Sequence, residues 1–256
     1  MVRSCIYGPV PSWRLGRSLG VDLLSTDGKT CSFDCIYCQL GRTAHPLTER
    51  KEFVSMAKLR GELEAVRDVA AQYVTFSGIG EPTLAVNLGE AIEVAKSILQ
   101  LPVAVLTNSS LMVREDVRQA LRLADIVVAK VDAPNEGVFR QVNRPYGGGS
   151  LDDIITAIML FRKEYTGKLA LQIMFVQANK EYAPQIAKIA EQLSPDEVQI
   201  NTPLRPCAVQ PLVPEEIAAI RQVFTGLGHV VTVYEASRPE VIPLNYEETL
   251  RRRPRL

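Results

Sequence analysis

Hydrophobic residues recur with two different periods along most of the chain. They fall on one face of a helix, three or four residues apart, over 55–70, 86–99, 113–123, 150–163, 181–193 and 214–227. Short apolar runs of the kind found in buried strands lie between these segments, at 19–24, 73–76, 103–106, 125–131, 169–176, 197–201 and 230–234. This regular alternation of strand and helix predicts a parallel sheet with right-handed crossovers.

The number of predicted strands limits the architecture. Six strands precede residue 202 and one more lies near the end, which is too few for an eight-fold barrel. We therefore predict an α/β fold in the form of a partial (β/α)6 barrel, open on one side. We expect one domain over 1–256, with its core at about 6–206 and a helix, a strand and a basic tail at about 207–256, because no low-complexity linker divides the chain.

Polar residues follow the predicted strands at the points where the strands end. In a parallel barrel, the loops after the carboxyl ends of the strands carry the chemistry. These positions are the cysteine-containing segment 31–38, 77–82, Thr107 to Ser110, Lys130 to Asp132, Gln177, and Asn201 with Thr202. We expect all of them to meet at one mouth of the barrel.

The charge balance and the distribution of apolar residues exclude several classes of protein. Lys plus Arg and Asp plus Glu both number 29, so no global field attracts nucleic acid or membrane. The first 20 residues do not resemble a signal peptide, and no apolar run reaches membrane-spanning length. We therefore expect a cytoplasmic protein with reduced thiols and no membrane partner. The basic run at 251–255 is interpreted as a solvated tail, with an RNA or acidic-partner contact as the alternative.

Three of the five cysteines lie within eight residues, as Cys31-x-x-x-Cys35-x-x-Cys38, with Tyr37 just before the last. In a reducing compartment, such clustered thiols are more typical of metal ligands than of disulfides. Three thiolates can bind three irons of a 4Fe–4S cluster, which leaves the fourth iron without a protein ligand. A small molecule could coordinate that iron.

Several segments resemble one enzyme superfamily over about residues 6–202. The CxxxCxxC spacing after a first strand is similar to the signature of the radical S-adenosylmethionine (SAM) superfamily, and Gly-Ile-Gly-Glu-Pro at 78–82 resembles its GGEP segment. Segment 7–20, Asn143-Arg144-Pro145 and Arg205-Pro206 resemble an uncharacterised branch that is grouped with the tRNA wyosine-base synthases. Trp13 stands where members of that branch often carry Arg.

The resemblance implies the cofactors and their ligands. Cys31, Cys35 and Cys38 would hold one 4Fe–4S cluster of a radical SAM type barrel, SAM would chelate the fourth iron, and its cleavage would give methionine and a 5′-deoxyadenosyl radical. The residues that the resemblance implies for SAM are Gly78, Gly80, Glu81 and Pro82 near its ammonium group, Tyr37 at the adenine through its backbone, and Asn108, Lys130 and Asp132 at the ribose or carboxylate. Capping or a local ion pair is the alternative for each of the last three. Cys5 and Cys207 are too few for a second cluster, and we expect them to be buried small apolar residues.

The resemblance also implies partners and leaves alternatives open. It implies an oxidoreductase or transferase that takes electrons from a donor such as flavodoxin or ferredoxin and acts on a tRNA or RNA nucleoside. One alternative is an activating enzyme that makes a glycyl radical on a protein partner. Another is a non-catalytic zinc-binding module in which His45 joins the three cysteines. Arg144 and Arg205 either bind an anionic substrate or form salt bridges.

Overall fold

An eight-stranded sheet forms the centre of the computed structural model, which describes residues 3–254. Its strands are β1 (Ile6–Ser12), β2 (Gly16–Val21), β5 (Tyr73–Phe76), β6 (Val103–Leu106), β7 (Ile126–Lys130), β8 (Lys168–Met174), β9 (Glu197–Asn201) and β10 (Val230–Thr232), in the spatial order β1-β2-β5-β6-β7-β8-β9-β10. Two short strands, β3 (Thr30–Cys31) and β4 (His45–Pro46), pair in parallel beside it. The sheet curls into a half-barrel, so the predicted α/β partial barrel is confirmed.

The direction of the strands changes only at one edge of this sheet. β1 and β2 form an antiparallel hairpin, and every other neighbouring pair is parallel. The sequence analysis missed β1, because Pro9 and Pro11 interrupt the strand pattern. A strand at the edge tolerates them, since a proline there need not donate to a neighbour.

The helices are α1 (Met56–Glu64), α2 (Leu88–Leu99), α3 (Glu115–Leu121), α4 (Glu136–Val142), α5 (Leu151–Glu164), α6 (Ala183–Leu193), α7 (Pro214–Val223) and α8 (Tyr246–Arg252). Ser150 caps α5 by accepting a hydrogen bond from the Asp153 N–H at 3.1 Å, as its position in the sequence predicts. α1 is shorter than predicted: Val66 and Val69 pack against the core from turns after the helix has ended. None of the helices within 3–254 has the length and apolarity needed to cross a membrane.

The interpretation of the basic run near the end as a solvated tail is wrong. Arg251 and Arg252 form the last turn of α8, and Arg252 is only 1% exposed. Its Nε donates to Asp22 Oδ2 at 2.8 Å, and its Nη2 donates to the Ser4 carbonyl at 2.7 Å. A buried guanidinium is stable when it is paired in this way. Arg255, the last arginine of the run, lies outside the described residues.

Candidate active site

The carboxyl ends of the parallel strands and the adjoining loops surround a cavity. The predicted residues that line it are Cys31, Cys35, Tyr37, Cys38, Gly78, Gly80, Glu81, Thr107, Asn108, Lys130, Asn201 and Thr202. Pro82 and Asp132 are buried next to this lining rather than in it. Gln177 is exposed and lies away from the cavity, so its predicted place at the mouth is wrong.

Backbone hydrogen bonds hold the cysteine loop (31–38) in place from outside. The Asp34 N–H donates to the Arg144 carbonyl at 3.0 Å, and the Ile36 N–H donates to the Val142 carbonyl at 3.0 Å. The end of α4 and the segment after it, which the sequence analysis singled out for the Arg144 side chain, therefore support the loop through their main chain. Protein contacts thus fix the backbone of the loop at Asp34 and Ile36.

The three thiols of this loop face a buried cation. Lys29 is 5% exposed, and the charges of Cys38, Cys31 and Cys35 raise its pKa although burial opposes its charge. Burial raises the pKa of the Cys31 thiol to about 12 and that of Cys35 to about 11. The sequence analysis did not single out Lys29, and its position just before β3, two residues from Cys31, is the signal that could have indicated it.

The donor set distinguishes between two kinds of metal site. Within residues 3–254, no three His, Cys, Asp or Glu side chains come close enough together to hold a single ion. His45 lies on β4 with its side chain exposed. A 4Fe–4S cluster does not need three ligands around one ion, because each thiolate binds a different iron. Three thiols of one loop that line a common cavity fit such a cluster and disfavour the zinc-binding alternative.

The loop after β5 lies directly against the strand that leads to Cys31. The Thr30 N–H donates to the Ile79 carbonyl at 3.0 Å, in a parallel bridge between Thr30 and Gly80. A Cβ atom on Gly80 would lie 1.7 Å from the Thr30 carbonyl oxygen, and one on Gly78 would lie 2.3 Å from Asp22 Cγ. Both positions therefore require glycine, since no side chain fits between these segments.

Glu81 joins the loop after β5 to the loop after β6. Its carboxylate is 2% exposed and accepts from the Thr83 N–H (3.1 Å), the Thr83 hydroxyl (2.6 Å), the Thr107 hydroxyl (2.7 Å) and the Asn108 N–H (2.7 Å). Burial raises the pKa of Glu81, and these donors oppose the increase. The four hydrogen bonds fix one carboxylate at the wall of the cavity.

Asn108 connects this region to the cysteine loop. Its Nδ2 donates to the Ser32 hydroxyl at 2.9 Å and to Cys31 Sγ at 3.5 Å. Its Oδ1 accepts from the Ser110 N–H at 2.9 Å, which is the local capping interaction considered as an alternative. Asn108 therefore orders its own loop and also contacts a predicted cluster ligand.

A buried polar network lies behind the other side of the cysteine loop. The Tyr37 hydroxyl donates to Asp132 Oδ2. Asn143 Nδ2 donates to the same oxygen at 2.7 Å. The other Asp132 oxygen accepts from the Met174 N–H at 2.7 Å and lies 3.3 Å from Lys130 Nζ. Lys130 Nζ is also 4.8 Å from the centroid of the Tyr37 ring. Asp132 thus forms the local ion pair considered as its alternative, and it orients two residues of the cavity.

Four arginines from distant parts of the chain also line the cavity: Arg14, Arg205, Arg238 and Arg253. The sequence analysis identified Arg205 individually and Arg253 only as part of the basic run at 251–255. The ion pairs of the described residues include none of the four, nor Arg144, so the salt-bridge interpretation of Arg144 and Arg205 is wrong. We call these four residues the arginine cluster.

The sequence comparisons agree with this geometry. The radical SAM superfamily model matches residues 26–193. The chain belongs to the radical SAM superfamily. It is 37% identical to a UPF0026 protein of Methanocaldococcus jannaschii over 88% of this chain and 71% of that protein. It is 40% identical to a UPF0026 protein of Synechocystis over 80% of this chain and 77% of that protein. As a radical SAM protein, it has a 4Fe–4S cluster and SAM as its cofactors.

Solved structures share the radical SAM fold at low sequence identity. Streptococcus suis SuiB bound to S-adenosylmethionine superposes with a TM-score of 0.64 at 13% identity, covering 85% of this chain and 50% of SuiB. The protein anSMEcpe with bound AdoMet gives a TM-score of 0.61 at 15% identity, covering 82% of this chain and 60% of that one. The chain thus spans about half the length of SuiB, and the likeness is one of fold.

Proposed function

We propose that this protein reductively cleaves SAM at a single 4Fe–4S cluster held by Cys31, Cys35 and Cys38. The observation that carries the proposal is a loop with three thiols, ordered by protein contacts, at the carboxyl ends of a radical SAM half-barrel. When bound and reduced, the cluster supplies the electron that splits SAM into methionine and a 5′-deoxyadenosyl radical, which abstracts a hydrogen atom from the substrate.

The protein contributes charge and shape around these cofactors. Lys29 offsets the negative charge of the thiolates, because its ammonium group is buried beside all three. Glu81 supplies a fixed negative charge that suits the ammonium group of SAM. Gly78 and Gly80 keep the loop after β5 close to the cysteine loop, with Pro82 buried behind them.

The remaining predicted residues divide into two roles under this proposal. Asn108 and Lys130 line the cavity and are the polar groups that face the ribose or the methionine carboxylate. Asp132 acts as a positioning residue, because it lies behind the lining of the cavity and its two oxygens accept hydrogen bonds from the protein. Tyr37 is held by the same network at its hydroxyl, which leaves its backbone for the adenine.

The family resemblance supports a finer proposal for the substrate and partners. It favours a tRNA or RNA nucleoside as substrate and flavodoxin or ferredoxin as electron donor, with the protein acting in the cytoplasm as one domain. The alternative is an activating enzyme of a glycyl-radical protein. Assays of SAM cleavage with tRNA and with candidate proteins distinguish it from an enzyme that acts on RNA.

Anaerobic reconstitution tests the central proposal. We expect brown protein with about four irons per chain that releases 5′-deoxyadenosine from SAM under reduction. Cys35→Ala should abolish both the cluster and SAM cleavage, whereas the matched control Cys207→Ala should retain both. Colourless protein with one zinc, or cleavage that survives in Cys35→Ala, would refute the assignment. Stimulation of cleavage by tRNA would support the nucleoside substrate, and stimulation only by a protein would favour the activating enzyme.

A further inference from the structure

The cavity contains positive charge that protein carboxylates do not neutralise. Among the described residues that line it, Glu81 is the only carboxylate, and four protein donors occupy it. Lys29 and Lys130 also line the cavity, but they face the thiols and Asp132. The arginine cluster therefore presents its guanidinium groups without a counter-charge.

Arg14 is the member of the arginine cluster whose donors most clearly lack acceptors. Its Nε and Nη1 are inaccessible to solvent and have no hydrogen-bond partner. Burial, together with the positive charges of Arg253 and Arg205, lowers the pKa of Arg14 to about 9. Glu197, the carboxylate that attracts Arg14, is already paired with Lys168. Buried donors without acceptors destabilise a fold, so a missing acceptor is expected at this position.

The arginine cluster lies close to the place where SAM cleavage is proposed. Arg14 belongs to the β1–β2 turn, where the adjacent Leu15 packs against apolar residues of β6, β7 and β8 inside the barrel. Arg205 approaches from the other side, and its Nη1 donates to Gln39 Oε1 at 3.3 Å, one residue after Cys38. The arginines therefore extend from the inside of the barrel to the edge of the cysteine loop.

Building on the function proposed above, we propose that the arginine cluster binds the anionic end of the substrate, a small molecule that carries a phosphate group or adjacent carboxylates. Guanidinium groups present planar pairs of donors that match phosphate and carboxylate oxygens. The buried nitrogens of Arg14 favour a small molecule over a large polymer, because only a compact group reaches them inside the barrel. A free nucleotide is one molecule of this class and a tRNA is not, so this proposal departs from the polymeric RNA substrate considered above while it keeps the proposed cleavage of SAM.

Calorimetric titration of the reconstituted, SAM-loaded protein tests this proposal. The probes are pyrophosphate, malonate and a short single-stranded RNA. We expect one pyrophosphate or one malonate to bind per chain. The anion with the lower dissociation constant shows whether the site prefers a phosphate or adjacent carboxylates. Arg14→Met and Arg205→Met should each weaken binding at least about tenfold, as for the loss of a charge-assisted hydrogen bond. Arg60→Ala, at an exposed position on α1, is the matched control and should bind as the wild type does.

A stability measurement separates loss of binding from loss of folding. Because Arg14 Nε and Nη1 have no protein partner, Arg14→Met should melt at or above the wild-type temperature while it loses affinity. Absence of binding by both small anions would overturn the proposal, as would Arg14-dependent binding of RNA alone. In reconstituted protein without SAM, displacement of bound pyrophosphate by added SAM would also overturn it, because the arginines would then belong to the SAM site. Release of 5′-deoxyadenosine by the same preparation tests the central function separately.

Discussion

Replacing Arg252 by Met tests whether α8 is an integral part of the fold. The Arg252 side chain is 0% exposed and its partner Asp22 is 2% exposed. Methionine preserves much of the volume but removes the hydrogen bonds to Asp22 Oδ2 (2.8 Å), the Ser4 carbonyl (2.7 Å) and the Ser25 hydroxyl (3.1 Å). It also removes those to the carbonyl (3.1 Å) and the carboxylate of Glu248. Breaking a buried pair by removing one partner destabilises a protein by about 3–5 kcal/mol.

The structure places this variant near the lower end of that range. Asp22 keeps hydrogen bonds from the N–H groups of Leu24 (3.2 Å), Ser25 (3.1 Å) and Ile79 (3.3 Å), so its carboxylate is not left without donors. We expect the free energy of unfolding to decrease by about 3 kcal/mol. For a chain of this size, the melting temperature should then fall by roughly 6–12 °C.

Urea unfolding followed by circular dichroism provides the measurement, and an exposed ion pair provides the control. Arg122 lies 3.2 Å from Glu164, with both side chains about half exposed, so Arg122→Ala should change stability by less than about 1 kcal/mol. A loss below about 1 kcal/mol in Arg252→Met would refute the argument, because the buried pair would then behave like the exposed one. Asp22→Asn, alone and together with Arg252→Met, completes a double-mutant cycle that isolates the interaction energy of the pair.

Three further substitutions test the walls of the cavity. Gly80→Ala should prevent cluster assembly, because the added Cβ would overlap a backbone carbonyl. The control Gly148→Ala has open space around it and should assemble the cluster normally. The iron content of each reconstituted variant is the measurement. Glu81→Ala leaves four donors without an acceptor and should lower the urea-derived unfolding free energy by at least about 2 kcal/mol; an unchanged value would contradict its bracing role. Tyr37→Phe should cost only about 1 kcal/mol, because Asp132 keeps other donors; a loss above about 3 kcal/mol would show that the network depends on the phenol.

The sequence predicts most strongly those features that depend on neighbouring residues. The alternation of strand and helix follows from local periodicity, and the apolar run at 125–131 indicates the buried β7 because both of its faces are covered. The spacing of Cys31, Cys35 and Cys38 likewise indicates a shared cluster, because three ligands on one loop need no tertiary information.

The remaining features depend on contacts between distant residues. α8 escaped prediction because its charged residues resemble a solvated tail, and only the fold brings Arg252 to Asp22, 230 positions away. The arginine cluster escaped for the same reason, since Arg14 and Arg253 come from opposite ends of the chain. No periodicity indicates such a contact, because it exists only once the half-barrel has folded.

Two backbone hydrogen bonds that the cysteine loop donates bear on how the site responds to loss of the cluster. The Ile36 and Asp34 N–H groups donate to the carbonyls of Val142, at the end of α4, and of Arg144, and none of these atoms belongs to a proposed cluster ligand. We therefore expect the loop to keep both attachments when an oxidant removes the iron, so that fresh iron and sulfide can rebuild the cluster on the same loop.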